Sequence, residues 1–175
     1  LGSAGKIDIV VGGPPCQGFS TSGKRALDDP RNDLVWAYLR AVEAAEPSAF
    51  ILENVSGFAS FSKGLLLAEV KAKARELGYH VRAATLQASM NGVPQRRRRF
   101  FLVGSKQAGF RFPGEIDSGI FSIDSDGLDF EQAVSPHEEL TFRDAVSDLP
   151  EIAAGMTSDE YFSEPQNEFQ RSMRS

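Results

Sequence analysis

The stretch KIDIVVGGPPCQGFSTSGK (residues 6–24) joins a short β-branched run to two glycines, two prolines and the only cysteine of the chain. The apolar run ends at Gly12 and Gly13, which predicts a buried strand over residues 6–11. The two prolines restrict the backbone where it leaves this strand, and a Gly/Ser/Thr-rich segment follows. The stretch therefore predicts a strand end that presents Cys16, followed by a loop.

Strands and helices alternate outward from this stretch. β-Branched runs predict strands, and apolar residues at helical spacing that end at proline or glycine predict helices. Because strand and helix alternate, we expect an α/β fold with a parallel, doubly wound sheet. The predicted strands cover residues 6–11, 48–54, 79–87 and 98–105, and the predicted helices cover 31–47 and 63–78.

The glycines after the first strand do not form the usual nucleotide-binding turn. That turn reads G-x-G-x-x-G, whereas residues 10–15 read VVGGPP. The chain also enters a strand of central type within its first dozen residues. We therefore expect a doubly wound fold from which the first strands and the Gly-rich cofactor loop are absent.

The sequence changes in character after about residue 105. A Gly/Asp/Ser-rich segment without a clear period comes first, and TFRDAVSDLP (141–150) then predicts a short helix capped by Thr141. We expect a core over residues 1–105 and an irregular segment over residues 106–175.

Composition is that of an ordinary soluble domain, with 41% hydrophobic and 25% charged residues among 175. No apolar run approaches a membrane span, no signal peptide is evident, and one cysteine excludes an internal disulfide, so we expect a cytoplasmic or nuclear protein. Residues 1–104 carry 14 Lys/Arg and 9 Asp/Glu, whereas residues 105–175 carry 5 and 15. The basic first part suits a polyanion partner, although two ordinary surfaces of opposite charge would give the same counts.

Cys16 is a candidate nucleophile, because ligands of open α/β sheets bind beyond the carboxyl ends of the strands. A small buried hydrophobe is the alternative interpretation of a single cysteine. The only histidines, His80 and His137, lie in no recognisable motif, which disfavours a protease-like Cys/His pair.

Glu53 ends the second predicted strand, in ILENV. A strand parallel to the first one brings its carboxyl group to the same crevice as Cys16, where it can hold and donate a proton. The alternative is a glutamate that caps the next turn.

The run QRRRR (95–99) leads into the last predicted strand. At period two, Gln95, Arg97 and Arg99 share one face, and their guanidinium groups suit phosphate or a base carbonyl. A solvated basic face or a targeting patch is the alternative.

These sites, in this order, resemble the motifs of the carbon-5 cytosine-specific DNA methyltransferases. GGPPCQGFS (12–20) is similar to the nucleophile motif, ENV (53–55) to the glutamate motif, and QRRRR to the Gln-x-Arg-x-Arg motif. PRNDLVWAYLRAVE (30–43) resembles the intervening helix. TFRDAVSDLP and EPQNEFQRSMR (164–174) resemble segments that lead to the target-recognition domain.

The resemblance implies a Rossmann-like S-adenosylmethionine-dependent methyltransferase fold and covalent chemistry on a cytosine flipped out of double-stranded DNA. Cys16 would attack ring carbon 6 while Glu53 contacts ring nitrogen 3 and the exocyclic amine. Carbon 5 then takes the methyl group, and loss of its proton expels the cysteine. Arg99 would contact the cytosine 2-oxygen, and Arg97 would orient the site.

The resemblance also assigns supporting roles. Pro15 and Leu34 match positions that contact S-adenosylmethionine, whereas Gln17 and Ser20 lie on a loop expected to close over DNA, and Gln95 is a further DNA contact. No metal is implied. Residues 1–105 would be a partial catalytic core, and residues 106–175 would lead towards an absent recognition domain. An unpaired edge at residues 7–11 would favour self-association.

Three alternatives stay open: a transfer-RNA cytosine methyltransferase of the same fold, an inactive DNA-binding or regulatory relative, and a thiol redox enzyme. An inactive relative has no chemical reason to retain Cys16, Glu53, Arg97 and Arg99 together. A redox enzyme often needs a resolving cysteine, and this chain has a single cysteine. The expected location is cytoplasmic and nucleoid-associated in a prokaryote, or nuclear in a eukaryote.

We predict that the isolated 175-residue chain binds S-adenosylmethionine weakly or not at all, because the expected Gly-rich loop and the acidic residue that would hold the cofactor ribose are absent from it. Titration calorimetry checks this prediction. A dissociation constant in the micromolar range would contradict it.

Overall fold

Four strands form one sheet in a computed structural model of the chain, which describes residues 5–15, 33–112 and 139–175. The strands lie in the order β1-β2-β4-β3 across the sheet. Their bounds are Ile9–Gly12 for β1, Ala49–Val55 for β2, His80–Gln87 for β3 and Arg98–Ser105 for β4.

Two longer helices connect these strands, as the apolar spacing predicts. Helix α1 (Asp33–Ala45) precedes β2, and α2 (Leu65–Glu76) lies between β2 and β3. Helix α1 ends before Pro47, and α2 ends at Gly78, whose φ of 81° is accessible to glycine. The amide of Gly78 donates to the Arg75 carbonyl, and the amide of Tyr79 donates to the Ala74 carbonyl. This pattern is a Schellman C-cap.

The sheet is mixed, so the expectation of a parallel sheet is wrong for β4. Strand β1 runs parallel to β2, with Ile9 opposite Ala49, but β4 runs antiparallel to β2, with Arg99 opposite Val55. A parallel return needs a crossover of about a dozen or more residues, usually a helix. The connection from β3 to β4 contains only a 3₁₀ turn at Ala88–Asn91, which is too short for such a crossover.

The core lies between the sheet and the two helices. Phe50 of β2 packs edge-on against the rings of Tyr38 and Tyr79, and Phe58 stacks on Phe100 with ring centroids 5.1 Å apart. Gly104 of β4 lies so close to the ring of Phe50 that a Cβ at position 104 would overlap the ring. Other fully buried apolar side chains among the described residues include Val35, Leu39, Val42, Leu52, Ala59, Val70, Ala74 and Leu102.

The first strand is more exposed than its sequence predicts. Ile9 and Val11 are 57% and 68% exposed, and β1 lies at one end of the sheet order. The expectation of a buried strand is therefore wrong within the described residues. A short apolar run does not show whether a strand is central or at an edge, since strand order depends on distant pairing.

The described residues pack as two units. The first unit contains Leu1–Leu86 and Arg98–Pro136. The second unit contains Gln87–Arg97 and His137–Ser175. The second unit holds α3 (Phe142–Val146) and α4 (Glu168–Met173). The sequence division at residue 105 stays a prediction about the whole protein.

The two short helices of the second unit begin at side-chain caps. Thr141 and Asp144 form the expected capping box at the start of α3. The sequence analysis did not identify α4 as a helix, although Asn167 caps it by accepting from the amide of Gln170. An Asn three residues before a Gln is the signal that could have found this helix. No helix among the described residues is long and apolar enough to cross a membrane.

Candidate functional site

Glu53 and Arg99 meet on one face of the sheet in the first unit. The Nε atom of Arg99 lies 2.8 Å from Oε1 of Glu53, and the two side chains are 25% and 37% exposed. Arg99 pairs with Val55, two residues beyond Glu53 on β2, so the two side chains are diagonal neighbours within reach of each other. Antiparallel pairing thus brings the glutamate motif to the end of the arginine run.

Asn54 ties this glutamate motif to the segment that follows β1. Its side chain is only 3% exposed. The Nδ2 atom donates to the Pro14 carbonyl at 3.2 Å, and the Oδ1 atom accepts from the amide of Val55 at 2.8 Å. This bond anchors the backbone two residues before Cys16 in sequence. The sequence motif alone assigns no role to Asn54. A polar side chain in a buried strand is the signal that could have found it, because a buried amide needs partners.

Gly12, the last residue of β1, and Gly13, which follows it, allow a close approach of neighbouring side chains. A Cβ on Gly13 would lie 3.2 Å from Oε2 of Glu53, and a Cβ on Gly12 would overlap the ring of Tyr38. The glycine pair thus makes room for a carboxylate and an aromatic ring at the end of β1.

Tyr38, which the sequence analysis missed as a site residue, joins β1 to β2. Its hydroxyl donates to the Ile51 carbonyl at 2.9 Å and lies 3.3 Å from the Val10 carbonyl. Burial raises the pKa of Tyr38, so the hydroxyl keeps its proton and stays a donor. A tyrosine on the core side of a helix is the signal, since its hydroxyl needs a polar partner when buried.

The arginine run does not follow strand alternation throughout. Strand β4 begins at Arg98, and before it the amide of Arg97 donates to the Gln95 carbonyl in a turn. The expectation that Gln95, Arg97 and Arg99 share a strand face is therefore wrong, because period two requires extended backbone. Arg97 and Gln95 are exposed residues of the second unit, and Arg99 belongs to the first.

The remaining predicted site residues are partly described. Pro15 is exposed after β1, and Leu34 is 43% exposed in the first turn of α1, whose core-facing positions include Val35 and Leu39. Cys16, Gln17 and Ser20 lie outside the described residues. Within the described ranges, no group of three or more His, Cys, Asp or Glu side chains could hold a metal ion.

Comparison with known proteins identifies the family. The sequence model of the C-5 cytosine-specific DNA methylase family matches residues 3–173. The chain belongs to this family. The α/β fold class that the sequence predicts is thereby confirmed, with the mixed sheet described above.

Curated relatives are similar along nearly the whole chain. The type II methyltransferase M.AgeI of Thalassovita gelatinovora is 44% identical over 97% of this chain and 42% of its own length. DNA (cytosine-5)-methyltransferase 1 of Gallus gallus is 34% identical over 99% of this chain and 12% of its own length. The chain thus spans less than half of either relative.

A solved structure of a DNMT2 mutant from Spodoptera frugiperda shares the fold. It superposes with a TM-score of 0.51 at 21% identity and covers 85% of this chain and 41% of that one.

We predict that Asn54→Asp lowers the free energy of unfolding by about 3 kcal/mol, because it removes the hydrogen bond from Asn54 to the Pro14 carbonyl and buries a charge. Asn91→Asp is the matched control, since the exposed Asn91 also donates to a backbone carbonyl, at 2.8 Å, and we expect it to cost about 1 kcal/mol or less. Urea denaturation of both variants measures the difference. Equal losses would show that the Asn54–Pro14 bond has no special role.

Proposed function

We propose that the protein is a DNA (cytosine-5)-methyltransferase that acts through a covalent bond between Cys16 and carbon 6 of the target cytosine. The contact between Glu53 and Arg99 carries this proposal, because it joins two of the three family motifs through side chains. The Asn54–Pro14 bond supports it by anchoring the third motif close to the same carboxylate. The family match covers all three motifs.

Each residue has a distinct part in the proposed reaction. The Cys16 thiolate adds to carbon 6, which makes carbon 5 of the ring nucleophilic. Glu53 hydrogen-bonds ring nitrogen 3 and the exocyclic amine, and a proton held there favours the addition. Loss of the carbon-5 proton after methylation restores the double bond and releases the thiolate. No histidine takes part.

The Nε atom of Arg99 contacts the Glu53 carboxylate, and we propose that this contact orients the carboxylate. A guanidinium group has five N–H donors in a planar fork, so Arg99 can bind the carboxylate and the cytosine 2-oxygen with different atoms. Arg97 is proposed to orient the site, as the resemblance implies.

S-adenosylmethionine supplies the electrophilic methyl group in this reaction. Pro15 and Leu34 are proposed to pack against its apolar parts, because both residues are exposed. Pro15 follows the carboxyl end of β1, and Leu34 lies in the first turn of α1. Neither side chain offers a polar atom. We therefore assign to these residues packing contacts only, and we propose that other residues supply the hydrogen bonds to the cofactor.

Double-stranded DNA is the proposed substrate, with Gln17, Ser20 and Gln95 as further contacts. The first 104 residues carry an excess of Lys and Arg, which suits the phosphate backbone. The relatives named as type II methyltransferases favour a role in restriction-modification. We accordingly propose a location beside the DNA, in the cytoplasm of a prokaryote or in the nucleus of a eukaryote.

We predict that the full-length protein, supplied with S-adenosylmethionine, forms a denaturant-resistant adduct with duplex DNA that contains 5-fluorocytosine, because after methyl transfer the fluorine at carbon 5 cannot leave as a proton does. Cys16→Ser abolishes the adduct, and Glu53→Gln slows its formation by about 100-fold or more. Glu43→Gln is the matched control, because Glu43 is also ion-paired, with Lys73, on the protein surface. Denaturing gel electrophoresis measures the adduct.

The outcomes of this experiment separate the candidate functions. An adduct that persists in Cys16→Ser would contradict the mechanism. An adduct with transfer RNA but none with duplex DNA would favour the transfer-RNA enzyme. DNA binding without any adduct would favour the inactive relative.

We further propose that the isolated chain self-associates through β1. Ile9 and Val11 are exposed on this strand, and β1 lies at the end of the sheet order among the described residues. Such an edge pairs readily with another chain.

We predict that Val11→Lys shifts the isolated chain towards monomer in sedimentation velocity, because a lysine on an edge strand opposes pairing. Ile152→Lys is the control, since Ile152 is similarly exposed in the second unit. A folded wild-type chain that is monomeric at every concentration would refute this proposal.

A further inference from the structure

The carboxylate of Glu139 accepts hydrogen bonds from three side chains of the segment Gln87–Arg97. We call this segment the arginine loop. The Oε1 atom of Glu139 accepts from Nε2 of Gln87 at 3.1 Å and from Oγ of Ser89 at 2.9 Å. Arg96 binds both oxygens, with Nε 3.0 Å from Oε1 and Nη2 3.2 Å from Oε2. All of these residues belong to the second unit.

Backbone hydrogen bonds close the arginine loop and attach it to the segment after Glu139. The amide of Ala88 donates to the Arg97 carbonyl at 2.9 Å, so the two ends of the loop meet. The amide of Leu140 donates to the carbonyl of Ser89, which is fully buried. The position of Glu139 relative to the loop is therefore set by both main chain and side chains.

The contact with Glu139 distinguishes one arginine among four. Residues 96–99 are identical in type, so a shift of one residue along the loop exchanges one guanidinium for another without changing the chemistry. A bidentate arginine–carboxylate pair is geometrically specific, and here it selects Arg96. Hydrogen bonds from Arg96 and Ser89 lower the pKa of Glu139, which keeps this partner charged at neutral pH.

We propose that Glu139 is a positioning residue that fixes the register of the arginine loop: by holding Arg96, it determines that Arg97 and Gln95 are the side chains that contact the DNA. This inference rests on the proposed methyltransferase function and deepens it. It gives a residue from the acidic part of the chain, 43 positions away from Arg96, a specific role in the reaction.

The first test measures the rate of 5-fluorocytosine adduct formation in single turnover by the full-length protein. We expect Glu139→Gln to slow this step by about 10- to 100-fold, because a displaced Arg97 no longer contacts the DNA in the productive geometry. Glu151→Gln removes the same charge from an exposed position of the same unit and is expected to leave the rate unchanged. A Glu139→Gln rate equal to the wild-type rate overturns the inference.

A second test distinguishes positioning from general stability. Glu139→Arg and Arg96→Glu should each slow adduct formation, and the double exchange, which restores an ion pair with reversed charges, should recover at least half of the loss on a logarithmic scale. A folded double variant that is as slow as the single variants contradicts the proposal. Where the single variants fail to fold, the proposal requires the double exchange to restore folding and adduct formation, and a folded double variant that forms no adduct contradicts it.

The third test is a double-mutant cycle with Arg97→Ala. If Glu139 acts through Arg97, Glu139→Gln reduces the rate of adduct formation little further once Arg97→Ala is present. Rate reductions of the two substitutions that multiply in the double variant contradict the proposal. The wild-type reaction separates the two levels of inference. No wild-type adduct refutes the proposed function itself, while a normal wild-type adduct with unaffected variants refutes only the role of Glu139.

Discussion

Strand β2 determines the arrangement of both the core and the site, since β1 pairs with it in parallel and β4 pairs with it antiparallel. Its side chains alternate, so Phe50 and Leu52 are fully buried while Glu53 remains partly exposed. Burial of each such apolar side chain contributes about 1.5–3 kcal/mol. A slip of one residue would expose them and bury the carboxylate. The register that builds the core therefore also places Glu53 beside Arg99.

The site also depends on how closely β1 and its neighbours approach. Gly12 and Gly13 leave room for the ring of Tyr38 and the carboxylate of Glu53. The Tyr38 hydroxyl contacts the carbonyls of Val10 on β1 and Ile51 on β2, and Asn54 of β2 donates to the carbonyl of Pro14, which follows β1. A buried amide or phenol that loses its partner costs about 1–3 kcal/mol, so these contacts hold the strand end in one position. The backbone that leads to Cys16 is thus anchored by residues that take no part in the chemistry.

The basic and acidic parts of the chain form an ion pair within the second unit. Glu139 comes from the acidic part and binds Arg96 of the basic run. Four adjacent arginines offer several equivalent arrangements, and a carboxylate that binds one of them with two hydrogen bonds reduces that number. Charge asymmetry, which on its own predicts only a polyanion partner, here also contributes to the order of a loop.

The sequence by itself determined the features that depend on neighbouring residues. Strand β4 begins and ends where its pattern predicts, Gly78 terminates α2, and Thr141 with Asp144 begins α3, because caps and periodicity act over a few residues. The three motifs were also sufficient to identify the family. Only the tertiary structure decided the antiparallel direction of β4, the exposure of β1, the Asn54–Pro14 bond and the contact of Glu139 with Arg96. Each of these features depends on how segments that are tens of positions apart come together. Strand register and loop closure decide this, and no local pattern specifies them.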